Sequence, residues 1–223
     1  MDYKLELFLK LNKLFKDNGF KLYLVGGTVR DFLLGVELTD MDAVTDATPE
    51  EMKRFLEDAN YTFEKYGSIS IKPDKKVKFD ITTMREETSY QDSRHPSEIR
   101  FVRDINIDVR RRDFTINALY LDENLKVIDL VDGQKDLENK VLRMIGDPNI
   151  RLKEDPLRII RAIRFASDYQ LSLDKDLELA IRNNVNELNN LNPDKITQDL
   201  RKCKPESKTI VLQYLQDFDI KLS

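Results

Sequence analysis

The stretch KLYLVGGTVRDFLLG, residues 21–35, followed by LTDMDAVTD, residues 38–46, decides how this chain is read. The apolar run 22–25 ends in Gly26 and Gly27, which predicts a buried strand, a tight turn and a short helix over 28–34 that Gly35 stops. Residues 38–46 alternate around Met41, Ala43 and Val44 as a strand does, so Asp40 and Asp42, two apart, point the same way. Adjacent carboxylates repel unless a cation lies between them, and hard oxygen donors with few nitrogen or sulfur ligands nearby suit Mg²⁺. Asp80, in the strand-like run KVKFDIT, joins them if the strands are neighbours.

An isolated DxD in a chain with 41 acidic residues reads first as solvated surface. The glycine turn about thirteen residues upstream changes that reading. Glycines let backbone N–H groups approach an anion closely, and Arg30 adds a cation one helical turn on. No G-K-[ST] follows, so this is not a Walker-type loop. A triphosphate held by glycine amides and Arg30, and bridged to Mg²⁺ on Asp40 and Asp42, is a nucleotidyl-transfer constellation.

Composition limits the alternatives. The chain has 223 residues, 37 basic against 41 acidic, for a net charge of −4, so any nucleic-acid surface must be a local basic patch. The one cysteine, Cys203, excludes an internal disulfide and a cysteine-built zinc site, and the one histidine, His95, excludes any two-histidine design. No stretch approaches the roughly 18 apolar residues of a membrane span, and the N-terminus lacks the apolar core of a signal peptide. A cytoplasmic location with no membrane partner is expected.

Periodicity predicts a helix over 3–18. Thr48-Pro-Glu-Glu starts another over 49–59. Strand-like pieces follow at 61–67, 68–73 and 76–84, then a polar loop over 85–96, then strand or helix pieces at 112–122 and 126–133. From Gly146 the pattern turns helical, with helices at 154–167, 174–190, 194–203 and 208–218 and no further strand signal. The expectation is an α+β fold with a mixed-sheet domain over 1–145 and an all-helical one over 146–223.

Three motifs in order, LVGGTVRDFLLG with DMD, RRDFTINAL (111–119) and EDPLRIIRAIRF (154–165), resemble the class II tRNA nucleotidyltransferases. That family comprises the CCA-adding enzymes and their bacterial poly(A) polymerase relatives, within the DNA polymerase beta superfamily. The resemblance implies a polymerase-beta-like catalytic head and a helical neck. It implies that Asp40 and Asp42 hold catalytic Mg²⁺, and that Gly26, Gly27 and Arg30 contact the triphosphate. It makes Arg112 a nucleotide ligand and sets Asp113 and Asn117 against the sugar. Asp155 and Arg158 become an amino-acid template for CTP and ATP, supported by Arg161 and Arg164. The implied reaction adds C and A to the 3′ end of tRNA, with CC-only, A-only or poly(A) addition as variants. Non-catalytic RNA or nucleotide binding, and transfer to a protein or small molecule, are the other readings. The loop 85–96 sits where the family has a flexible loop linked to switching from C to A. The resemblance implies longer family members, with helical body and tail domains that grip tRNA; a shortened piece of such a protein, a compact natural variant, and a chain that relies on a homo-oligomer or partner chain for RNA are the readings open here.

The template assignment also has a physical basis. Residues three apart share a helix face, so Asp155, Arg158, Arg161 and Arg164 are expected to form a polar stripe beside an apolar one of Leu157, Ile160 and Ile163. A carboxylate accepts from the exocyclic amine of cytosine or adenine, and a guanidinium donates to ring nitrogen or carbonyl. Arg110, Arg111 and Arg112, with Arg94, Arg100 and Arg103, make 94–112 locally basic, a candidate RNA phosphate surface. His95 is expected at the surface, and Cys203 on a helix without a chemical role.

Overall fold

In the computed structural model, which describes residues 2–90 and 96–221, helix α1 spans Tyr3–Asp17, and the Asp2 carboxylate caps it by accepting from the Lys4 N–H. Its apolar face buries Leu5, Phe8, Leu11 and Phe15. Strand β1 (Leu22–Val25), helix α2 (Gly27–Leu33) and strand β2 (Met41–Thr45) follow as the decisive stretch implies. Helix α3 starts as expected, with a capping box between Thr48 and Glu51, but is only Pro49–Met52 long. Tight turns replace its second half, and Met52 and Leu56 drop into the core. The expected strand at 61–67 is instead a 3-10 turn, Glu64–Tyr66, closed by Gly67 at φ 78°. Strands β3 (Ser68–Ile71) and β4 (Phe79–Thr83) follow. The expected loop 85–96 begins as strand β5 (Arg85–Tyr90), which pairs with β6 (Pro96–Phe101); His95 and Arg94 lie outside the described residues. A two-stranded ribbon can be built from polar residues, and that is why composition reads as loop.

Helix α4 (Ile105–Asp108), strands β7 (Leu119–Leu121) and β8 (Val127–Asp129), helix α5 (Gly133–Glu138) and strand β9 (Val141–Leu142) come next. The six-stranded sheet runs β3-β4-β2-β1-β7-β8. It is mixed: β2 and β4 are parallel, with Asp42 opposite Asp80, and the other neighbours are antiparallel.

The remaining elements are α6 (Pro148–Glu154), α7 (Leu157–Tyr169), β10 (Ser172–Leu173), α8 (Lys175–Asn184), α9 (Pro193–Leu200) and α10 (Lys208–Asp217). Two corrections apply here. A strand does occur after Gly146, since β10 pairs in parallel with β9. The helix expected over 154–167 is broken at Asp155-Pro156. Proline lacks an N–H and drives its predecessor out of the helical region, and Asp155 sits at φ −146°, ψ 93°. Asp155 therefore ends α6, and its Oδ1 accepts from the Leu157 N–H at 3.1 Å to start α7. It does not share a helix with Arg158. Cys203 lies just beyond α9, and burial pushes its thiol up to about 11.

The chain divides into two compact units: Met1–Glu87, Ile99–Arg112 and Asn117–Gly133 in the first; Thr88–Glu98, Asp113–Ile116 and Gln134–Ser223 in the second. Residues 134–145 cluster with the helices because Leu142 and Met144 bury in the helical core, where Met144 pairs with Phe114. Among the described residues no helix is long and apolar enough to cross a membrane.

Helix α7 is buried on nearly every face, Arg164 included, at 8% exposure. Arg164 Nε donates to Asp199 Oδ2 at 3.1 Å from within that core. Removing one partner of a buried pair strands the other charge. Asp199→Ala is expected to cost about 3–5 kcal/mol in urea denaturation, and Asp199→Asn less; a loss under about 1 kcal/mol for Asp199→Ala would contradict the buried pairing.

Candidate active site

In the first unit the glycine turn meets the carboxylate strand. Gly26 adopts φ 70°, ψ −137°, a conformation disfavoured for residues with a Cβ, and a Cβ placed there would lie 3.8 Å from Asp42 Oδ2. The Thr28 hydroxyl locks turn to strand. It donates to the Asp40 carbonyl at 2.9 Å and accepts from the Asp42 N–H at 2.9 Å. Asp40 stands at the bend just before β2, one residue short of the strand expected for it, and is exposed; Asp42 is half-buried. Burial, then the charges of Asp80 and Asp40, push the Asp42 carboxyl up to about 6. Lys78 pairs with Asp80 at 2.7 Å.

A cavity of about 200 Å³ opens here, lined by Gly26, Asp42, Asp80, Arg85, Arg111 and Arg112, among others. One wall is acidic and the other basic. The basic wall rests on Asp108, which is fully buried. Asp108 Oδ2 accepts from Arg112 Nη2 at 2.8 Å and from the Tyr120 hydroxyl at 2.9 Å, and Oδ1 accepts from Arg111 Nε at 2.8 Å. Burial alone would raise this carboxyl, but Arg112 and Arg111 hold it well below the usual carboxylate range. Sequence reasoning missed Asp108, Arg85 and the role of Thr28. The signal for Asp108 was there, since it precedes Arg111 and Arg112 by three and four residues, the spacing of a helical ion pair.

Arg30 does not project from the turn. It is 5% exposed and folds back beneath Gly27, where a Cβ would meet Arg30 Nη2 at 3.2 Å. Its Nη1 donates to Asn117 Oδ1 at 2.5 Å and its Nε to Asp31 Oδ1 at 3.0 Å. Asn117, 7% exposed, is left with a buried Nδ2 that has no hydrogen-bond acceptor among the described residues. An orphaned buried donor of this kind suits an acceptor brought by a ligand.

The second unit gathers the other expected residues. Arg158 Nε lies 4.0 Å from Asp155 Oδ2, and its Nη1 donates to the Arg151 carbonyl at 2.8 Å. Arg161 Nε donates to Asp113 Oδ2 at 2.8 Å, and although burial would raise the Asp113 carboxyl, the Arg161 charge lowers it. Arg164 faces Asp199. The polar stripe is thus real from Arg158 to Arg164, but Asp155 joins it across a helix break.

Among the described residues no three acidic, histidine or cysteine side chains converge as a metal cage. That donor set still fits Mg²⁺, which is bound through one or two carboxylates with water and substrate phosphates completing the shell.

The sequence matches the poly A polymerase head domain over residues 22–143. It is 40% identical over 179 residues to the CCA-adding enzyme of Listeria innocua, covering 80% of this chain and 45% of that protein. It is 43% identical over 169 residues to the CCA-adding enzyme of Ligilactobacillus salivarius, covering 76% and 42%. The fold resembles the Bacillus stearothermophilus CCA-adding enzyme in complex with CTP, with a TM-score of 0.87 at 30% identity, over 97% of this chain and 53% of that one. It also resembles the Thermotoga maritima CCA-adding enzyme complexed with tRNA, at TM-score 0.78 and 28% identity, over 99% and 52%. The chain spans about half the length of the curated relatives it matches.

A carboxyl raised in the folded state lowers stability as pH climbs from its unfolded value near 4 through about 6, and the cost is complete above that. Above pH 6 without divalent cation, Asp42→Asn is expected to raise the melting temperature by a few degrees, at about 2–4 °C per kcal/mol for a chain of this size. Mg²⁺ should stabilise the wild type and not the variant. Equal Mg²⁺ responses by differential scanning fluorimetry would count against a cation at Asp42.

Proposed function

This chain belongs to the poly A polymerase head domain family, and we propose that it is a template-independent nucleotidyltransferase adding C and A, from CTP and ATP, to the 3′ end of tRNA in the cytoplasm. The observation that carries the reading is the Gly26 turn set against the Asp42 carboxylate in a cavity whose far wall is arginine.

Asp40 and Asp42, with Asp80 beside them, would hold Mg²⁺, which supplies charge neutralisation for the triphosphate and acidifies the attacking 3′-hydroxyl. The chain's own groups do the rest. The Gly26–Gly27 turn offers backbone N–H donors where no side chain intervenes. Arg112 and Arg111, fixed by Asp108, present cations to phosphate oxygens without reorganising. Arg30 supports the turn from beneath, adding charge rather than a direct contact. Asn117 Nδ2 offers its spare donor to the nucleotide sugar. In the second unit, Asp155 and Arg158 form the base-reading pair: the carboxylate accepts from the amine of cytosine or adenine and the guanidinium donates to the ring. Asp113 and Arg161 brace that pair, and Arg164 anchors the helix that carries it.

Two variants test the assignment. Asp40→Ala is expected to abolish incorporation of labelled CTP into tRNA while tRNA binding persists; incorporation within tenfold of wild type would refute the metal role. Arg158→Ala is expected to let UTP and GTP compete, by roughly the 10- to 100-fold that one lost bidentate partner is worth. Unchanged nucleotide selectivity would remove the template role while leaving the transferase reading intact.

A further inference from the structure

The rim of the cavity carries a feature that its chemistry does not use. Phe63, Tyr66 and Phe101 are 62%, 39% and 37% exposed, three large rings held out of the core. Phe63 precedes and Tyr66 ends the 3-10 turn that Gly67 closes; the Ser68 N–H returns to the Phe63 carbonyl and the Gly67 N–H to that of Glu64. Phe101 comes from β6, and its ring lies close enough to Gly67 that a Cβ there would fall 2.7 Å from Phe101 Cε1. Gly67 also needs its left-handed φ of 78°, so the site tolerates no side chain on two counts. Only a bare backbone at this position lets the Phe101 ring come so close.

This ledge is joined to the cavity. Ser68 follows Gly67 directly and lines it, as does Arg85. Arg85 Nη1 donates to the Tyr66 carbonyl at 2.6 Å. Cations lie along the same segments. Lys65 Nζ sits 4.7 Å from the centroid of Tyr66, and the Arg100 next to Phe101 is 68% exposed, its pair with Glu86 being a solvated one that exchanges readily. Exposed rings interleaved with cations beside a phosphate-handling cavity are the elements of a single-strand nucleic-acid platform. Stacking tolerates any base, because every base has a π-face, and the cations meet the backbone.

We propose that Phe63, Tyr66 and Phe101 form a stacking ledge for the unpaired 3′-terminal nucleotides of the RNA acceptor. The inference rests on the transferase reading and names where its acceptor strand lies. Base-tolerant stacking suits an acceptor whose terminal residue changes with each addition, since the ledge holds the strand without reading it.

The test uses the full chain and fluorescence anisotropy with a labelled single-stranded RNA ending in CC, so that no catalysis is needed. Phe63→Ala and Tyr66→Ala are each expected to weaken RNA binding about tenfold, with CTP affinity and melting temperature unchanged. Phe63→Trp and Tyr66→Phe should keep wild-type affinity. Phe101→Leu, which still covers Gly67, should weaken RNA binding without loss of fold. Unchanged RNA affinity in the folded alanine variants overturns the ledge, as does a wild type that binds no RNA. The same variants in an Asp40→Ala background separate the two claims. Loss of RNA affinity there supports the ledge whatever Asp40 does to incorporation.

Discussion

Negative charge crowded at the start of β2 is the constraint around which the first unit is arranged. Parallel pairing sets Asp42 directly opposite Asp80, and Asp40 stands two residues before it. Burial compounds the repulsion and raises the Asp42 carboxyl to about 6. Such a grouping costs stability on its own, and the Lys78 ammonium, 2.7 Å from Asp80, offsets part of it. Other elements close in on the same corner. The glycine turn comes close because it has no Cβ, and the Thr28 hydroxyl fixes its distance by bonding to both Asp40 and Asp42 backbone groups.

The opposite wall answers with positive charge that is built in rather than recruited. Arg111 and Arg112 are each tied to the buried Asp108, so their guanidinium groups are oriented before any ligand arrives. The second unit repeats the device with Arg161 on Asp113 and Arg164 on Asp199. In each case a carboxylate fixes the rotamer of an arginine within the fold.

How much of this was legible in the sequence depended on range. Local signals survived: the run into Gly26-Gly27 gave strand, turn and helix, and Thr48 with Glu51 gave a capping box. Failures came where one local rule overrode another. The three-residue spacing from Asp155 to Arg158 suggested one helix, but Pro156 forbids it, and the proline was in plain view. The pairing of Arg85–Tyr90 with Pro96–Phe101 was hidden because these segments lack the alternation of apolar and polar residues that marks a strand. Arg30 was expected to face the triphosphate, yet its side chain turns under Gly27 towards Asn117, a contact across 87 residues that no local pattern encodes. The motifs are visible in the sequence; the partners that hold their side chains become visible only in three dimensions.

Ordered nucleotide addition tests the central claim most directly. The protein would be incubated with Mg²⁺ and tRNA transcripts ending before CCA, after C and after CC, with each labelled nucleotide supplied separately. C on the first two transcripts and A on the third, with U and G rejected, is the expected pattern. Continued addition of A alone would instead mark a poly(A) polymerase. No incorporation of any nucleotide into any transcript would contradict a transferase acting on tRNA.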